Sequence, residues 1–269
     1  MRITICELPH EPNALASAWG GLCDHTSSSA SELVLLPEFA FIEPLWEGHG
    51  FDDARWARAT YTCNAWLERL DELGANFVVG TRPVSRHGNH FNEGFIWTID
   101  HGCLPLRRKH FMPDEPGGWE AHWFTRGDAT FPRYFADGLS FGLNICTELW
   151  ALETYADYAA MCVHAVLCPR ATASATAAKW RAAGIVAAVR AGAFCVSSNR
   201  SHPDGSYGGA GWIIGPDGDV LAQTTADAPC TTLDLEPRVA EAAQSTYPRY
   251  AVAEAPAAAG WNRSRRQRK

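Results

Sequence analysis

Three residues in this 269-residue chain have the types and neighbours that nucleophilic chemistry requires: Glu38, Lys109 and Cys146, spaced 71 and 37 residues apart. Cys146 ends the apolar run Leu139 to Cys146, which reads as a strand, and Leu149 to Ala160 has helical spacing. A cysteine at a strand-to-helix junction faces free backbone N–H groups, which favour the thiolate and attract anions. Glu38 follows Leu35-Leu36-Pro37. A carboxylate held directly after a buried strand, beside apolar neighbours, is partly desolvated and suited to general-base work. Lys109 lies in Arg107-Arg108-Lys109-His110, where a fixed ammonium can stabilise an anionic intermediate. Glu120, eleven residues on, can pair with that lysine and orient it. Taken singly, each has a plainer reading: a capping glutamate, a solvated cationic loop, an inert buried thiol.

The elements that must position these residues alternate in period. Arg2 to Leu8, Leu33 to Leu36, Phe77 to Gly80, Val163 to Cys168 and Phe194 to Ser198 read as strands. Asp52 to Leu73 and Thr176 to Gly192 read as helices, the first with Asp52 as N-cap and Gly74 as stop. Two hairpins, around Asp100-His101-Gly102 and Pro216-Asp217-Gly218-Asp219, make the sheets mixed rather than purely parallel. The pattern predicts a layered α/β domain over residues 1–255, followed by a basic tail at 256–269 that ends in Arg-Ser-Arg-Arg-Gln-Arg-Lys.

Composition narrows the function classes. A hydrophobic fraction of 46% excludes a largely disordered chain, and a net charge of −7 argues against a nucleic-acid partner. No apolar stretch is long enough for a membrane span, and the first residues read as a strand rather than a leader. Nine cysteines without a Cys-x-x-C pair, in a chain that needs no disulfide staples, predict a reduced, cytoplasmic setting. The ten histidines form no metal-ligand spacing, so neither a metal nor another cofactor is expected.

The order and context of Glu38, Lys109 and Cys146 resemble the nitrilase, or carbon–nitrogen hydrolase, superfamily. The resemblance runs through Leu36-Pro37-Glu38, then Arg108-Lys109-His110-Phe111-x-Pro113 with Glu120 and Phe124-x-x-Gly127, then Ile145-Cys146-x-Glu148. It continues downstream through Pro169, Trp180, Phe194, Asn199 and Gly211-Trp212-Ile213-Ile214-x-Pro216. It implies an α-β-β-α sandwich with two mixed β-sheets, and a Glu-Lys-Cys triad acting without a cofactor. Cys146 would attack a carbonyl or nitrile carbon, Glu38 would move protons, and Lys109 would hold the oxyanion, with the Thr147 N–H as second donor. Glu120 would hydrogen-bond Lys109 and help to position the substrate.

The implied activity is hydrolysis of a small amide or N-carbamoyl compound. Nitrile hydrolysis is the alternative, because Thr147-Glu148-Leu149-Trp150 lacks the Trp-Glu-Asn that follows the cysteine in many nitrilases. Acyl transfer to an amine and a silent binding protein rank lower. Trp119 and Trp150 are candidate pocket walls, and Arg170 is a candidate partner for a substrate carboxylate. The resemblance also implies a homodimer or higher homo-oligomer built on the Leu149–Ala160 helix and the C-terminal segment.

Overall fold

The computed structural model describes residues 1–253. The basic segment 256–269, and the domain limit expected at 255, lie outside the described residues. The order of elements is β1 (Arg2–Leu8), α1 (Pro12–Ser29), β2 (Leu33–Leu35), α2 (Asp53–Leu67), β3 (Phe77–Arg86), β4 (Asn89–Thr98), β5 (Gly102–Arg108) and α3 (Glu120–Trp123). It continues with β6 (Tyr134–Ala136), β7 (Leu139–Leu143), α4 (Thr154–Ala160), β8 (Ala165–Arg170), α5 (Ala177–Ala191) and β9 (Phe194–Arg200). The last elements are β10 (Trp212–Ile214), β11 (Val220–Gln223), β12 (Cys230–Asp234), α6 (Pro237–Ala243) and α7 (Arg249–Ala253).

The strands form two mixed halves, β12-β1-β2-β3-β4-β5 and β11-β10-β9-β8-β7-β6. They are joined where the end of β1 pairs in parallel with β9, Glu7 opposite Asn199 and Leu8 opposite Arg200. Period-two alternation explains the layering. Ile3, Ile5, Leu33 and Leu35 face Leu143, Leu167, Phe194 and Val196 across the inner interface. Their sequence neighbours point the other way: Cys6, Val34 and Leu36 pack beneath α1 and α2, while Val166, Cys168 and Cys195 pack beneath α5. Three apolar seams therefore separate four layers, and the fold is an α-β-β-α sandwich.

Asp52 caps α2 as expected, its Oδ1 accepting the Arg55 N–H at 2.9 Å. The helix nevertheless stops at Leu67. Leu70–Leu73 is a separate 3-10 turn closed by Gly74 at φ 61°. The helix expected over Leu149–Ala160 divides into a 3-10 turn, Cys146–Trp150, and α4. Tyr155 and Tyr158, on the helix expected to form an interface between copies, are fully buried under α5, whereas Leu152 is exposed. Gly142 makes room for this packing: a Cβ there would fall 2.3 Å from the Tyr158 ring.

Candidate active site

Both halves deliver reactive groups at the ends of their strands. Glu38 lies three residues beyond β2. Its N–H donates to the Arg170 carbonyl at 3.1 Å, and the next residue, Phe39, is left-handed at φ 47° with its N–H held by Thr81 Oγ1 at 2.8 Å. Arg200, at the end of β9, donates to the Ile42 carbonyl and ties down the same loop from the other half. Lys109 follows β5, anchored by its N–H to the Asn92 carbonyl at 2.9 Å and by its own carbonyl, which accepts the Gly127 N–H at 2.8 Å. Gly127 must be glycine, because a Cβ would fall 2.2 Å from the Arg108 carbonyl oxygen. Cys146 opens the 3-10 turn after β7, with φ 48°.

The Lys109 ammonium is wholly buried and donates to Glu38 Oε1 at 2.9 Å and to both Glu120 oxygens, at 2.8 and 2.7 Å. Asn92 Nδ2 donates to the same Glu38 oxygen at 2.8 Å. Burial alone would lower Lys109, but Glu120 and Glu38 outweigh it and hold the ammonium charged well above its ordinary range. Two carboxylates then face one cation. Burial pushes the Glu120 carboxyl up to about 7, against the pull of Lys109.

The Cys146 thiol is also raised, by burial first and by Glu38 second, with Lys109 opposing. This corrects the expectation of a thiolate favoured by a helix N-terminus. The element is a single 3-10 turn of five residues, the backbone N–H that lowers the thiol belongs to Ala171 outside that turn, and desolvation outweighs it. The resting Cys146 thiol is neutral.

A second buried pair braces the first. Arg107 forks onto Glu148, with Nη2 to Oε1 at 3.0 Å and Nη1 to Oε2. Glu148 also accepts the N–H groups of Ile145 at 2.9 Å and His110 at 2.7 Å. It thereby clamps the loop before Cys146 to the loop after Lys109. The Arg107 guanidinium stacks on Phe131, 3.9 Å from the ring centre.

The carbon–nitrogen hydrolase family model matches residues 2–244. The chain belongs to the carbon–nitrogen hydrolase family. As a carbon–nitrogen hydrolase it is 27% identical over 207 residues to N-carbamoylputrescine amidase of Solanum lycopersicum, covering 67% of this chain and 69% of the relative. The enzyme of the same name from Oryza sativa subsp. japonica is 31% identical over 121 residues, 42% of this chain and 40% of the relative. In three dimensions it superposes on a carbon–nitrogen hydrolase from Helicobacter pylori G27 with TM-score 0.81 at 16% identity, covering 93% and 94% of the two chains. An amidase from Nesterenkonia sp. superposes with TM-score 0.70 at 18% identity, covering 90% and 92%. At those identities the structural likeness shows the fold.

The remaining candidates separate. Thr147, in the first turn after Cys146, is partly exposed, and its N–H has no acceptor among the described residues. Trp119 directly precedes Glu120. Its N–H donates to the Trp46 carbonyl at 2.8 Å, and its half-buried ring lies against His49 and His122. Trp150 does not join the buried centre: it is 45% exposed and leans on Trp180 of α5.

Arg170 is not available to a substrate carboxylate either. It is 1% exposed, and its three nitrogens donate to Ser197 Oγ, Thr172 Oγ1 and the Ala210 carbonyl at 2.7–2.9 Å, over the Trp212 ring. Asn92 and the clamping role of Glu148 went unread in the sequence. Glu148 had a signal, its place two residues after the cysteine. Asn92 had none, because its partner Glu38 is 54 residues away. Among the described residues no cluster of three or more His, Cys, Asp or Glu side chains is arranged to hold a metal, and no helix is long and apolar enough to cross a membrane.

Proposed function

We propose that this carbon–nitrogen hydrolase cleaves a small amide or N-carbamoyl compound through a Cys146 thioester. The observation that carries the reading is the buried Lys109 ammonium, shared between Glu38 and Glu120 beside a neutral Cys146 thiol. Glu38 takes the thiol proton as sulfur bonds to the substrate carbon. Lys109 and the Thr147 N–H receive the oxyanion. As the intermediate collapses the C–N bond breaks, and Glu38 returns the proton to the departing ammonia or amine. Water then gives a proton to Glu38 and attacks the thioester, releasing the acid and restoring the thiol. Glu120 holds the ammonium in place through both steps. The N-carbamoylputrescine amidases among its relatives support an amide or ureido substrate over a nitrile.

The deciding experiment presents amides, ureido compounds and nitriles, and measures ammonia and the acid by mass spectrometry, with Cys146→Ala as control. Turnover of amide or ureido compounds, lost in Cys146→Ala at unchanged far-UV circular dichroism, is expected. Turnover confined to nitriles would replace the substrate class, and activity surviving in Cys146→Ala would remove the nucleophile assignment. A homodimer formed through the α4 region is part of the same reading. Exposed Trp150 and Leu152 support it, and light scattering at micromolar concentration tests it.

A further inference from the structure

A cavity of about 790 Å³ opens between the end of β1, the start of α1, the 201–210 loop and the turn joining β11 to β12. Glu38, Lys109 and Cys146 do not line it. Its floor is Glu7, a carboxylate only 6% exposed. Glu7 Oε1 is satisfied, accepting the Ala210 N–H and Thr224 Oγ1, both at 2.7 Å. No donor among the described residues reaches Oε2. Oε2 is not sealed from solvent, so its donor must come from whatever occupies the cavity.

The backbone is shaped to leave it so. Gly209 and Ala210 are consecutive left-handed residues, at φ 54° and 52°, which turn the Ala210 N–H onto Glu7. A Cβ at Gly209 would fall 2.0 Å from Glu7 Oε2. No lysine or arginine lines the cavity, and Glu11 adds a second carboxylate. His202 is already engaged between Glu11 and Asp204, at 2.6 Å from each. Pro9, Tyr207 and Pro229 supply apolar walls.

We propose that this cavity is a second binding site, for a small organic ammonium ion whose amine meets Glu7 Oε2 and whose apolar body lies along Pro9, Tyr207 and Pro229. The opposite sign and the missing hydrogen bond select a cationic donor, and the walls select an apolar body over ammonia alone. The reading stands independently of the reaction proposed for Cys146.

Isothermal titration of the full chain with benzylamine, and with benzyl alcohol and benzoate as near-isosteric controls, tests it. Benzylamine is expected to bind at least roughly tenfold more tightly than either control. Glu7→Gln should bring it down to the alcohol's level, and alkylation of Cys146 should leave it unchanged. Should Glu7→Gln fail to fold, Ala14→Phe on the exposed start of α1 fills the cavity without touching the Glu7 hydrogen bonds, and should abolish binding. Undiminished binding in either variant, loss of binding on Cys146 alkylation, or no preference for the amine would each overturn the proposal.

Discussion

Two buried ion-pair centres lie side by side, and they are built on opposite principles. In one, Arg107 and Glu148 match charge for charge, and backbone N–H groups of Ile145 and His110 occupy further lone pairs of the carboxylate. In the other, one ammonium serves two carboxylates beside a thiol that burial keeps protonated. The first has nothing left to react with. The second sets two carboxylates against one cation, an excess of acceptors that the proposed transfer of the thiol proton would use. Arg107 and Lys109 are separated by a single residue in the chain, so satisfaction of the lone pairs, not depth of burial, distinguishes the brace from the candidate reaction centre.

The sharpest way to break this contrast is to remove Lys109. Lys109→Ala should cost about a hundredfold to a thousandfold in kcat/KM, since one oxyanion donor is worth about 3–4 kcal/mol. Steady-state kinetics decides it, and activity within tenfold of the parent would show that the two centres are alike. Glu148→Gln should act on the other axis. It leaves Arg107 without its counter-charge and should lower unfolding free energy by about 3–5 kcal/mol, read by urea denaturation, whereas Cys146→Ala should not. Asn92→Ala, which removes the second donor to Glu38, should lower kcat about tenfold, the worth of about 1–2 kcal/mol, with little change in KM.

A further effect is in pH dependence. The folded Glu120 carboxyl sits at about 7, above its ordinary 4.5. Its protonated form therefore contributes stability that is fully present below about 4.5 and lost as pH rises through about 7. Wild type should lose up to about 3 kcal/mol relative to Glu120→Gln across that window. Parallel denaturation curves from pH 4.5 to 7.5 would show that Glu120 is as fully satisfied as Glu148.

Much of this was legible in the chain because Glu38 and Cys146 follow short apolar strands whose type is set locally. Leu33 to Leu36 and Leu139 to Leu143 announce themselves by hydrophobicity and chain punctuation. Other elements carried no such mark. The eighteen-residue α1 is broken in pattern by Gly20-Gly21 and Ser27-Ser28-Ser29, and it is held by the packing of Leu15, Trp19 and Leu22 rather than by propensity. β12 shows only intermediate burial and exists because β1 pairs with it. Side-chain destinations were least legible. Arg170 and Trp150 sit beside reactive segments in sequence, but strand alternation and the short 3-10 turn send one into the core and the other to the surface.

The left-handed backbone at Cys146 has a consequence for anyone who evolves this enzyme. A non-glycine residue held at φ 48° carries a conformational penalty of about 1–3 kcal/mol, which glycine would escape. Cys146→Gly should therefore survive heating or protease better than the active parent. On the proposed mechanism that variant lacks its nucleophile, so a library sorted on robustness alone would drift away from activity, and every round of selection needs turnover as its gate.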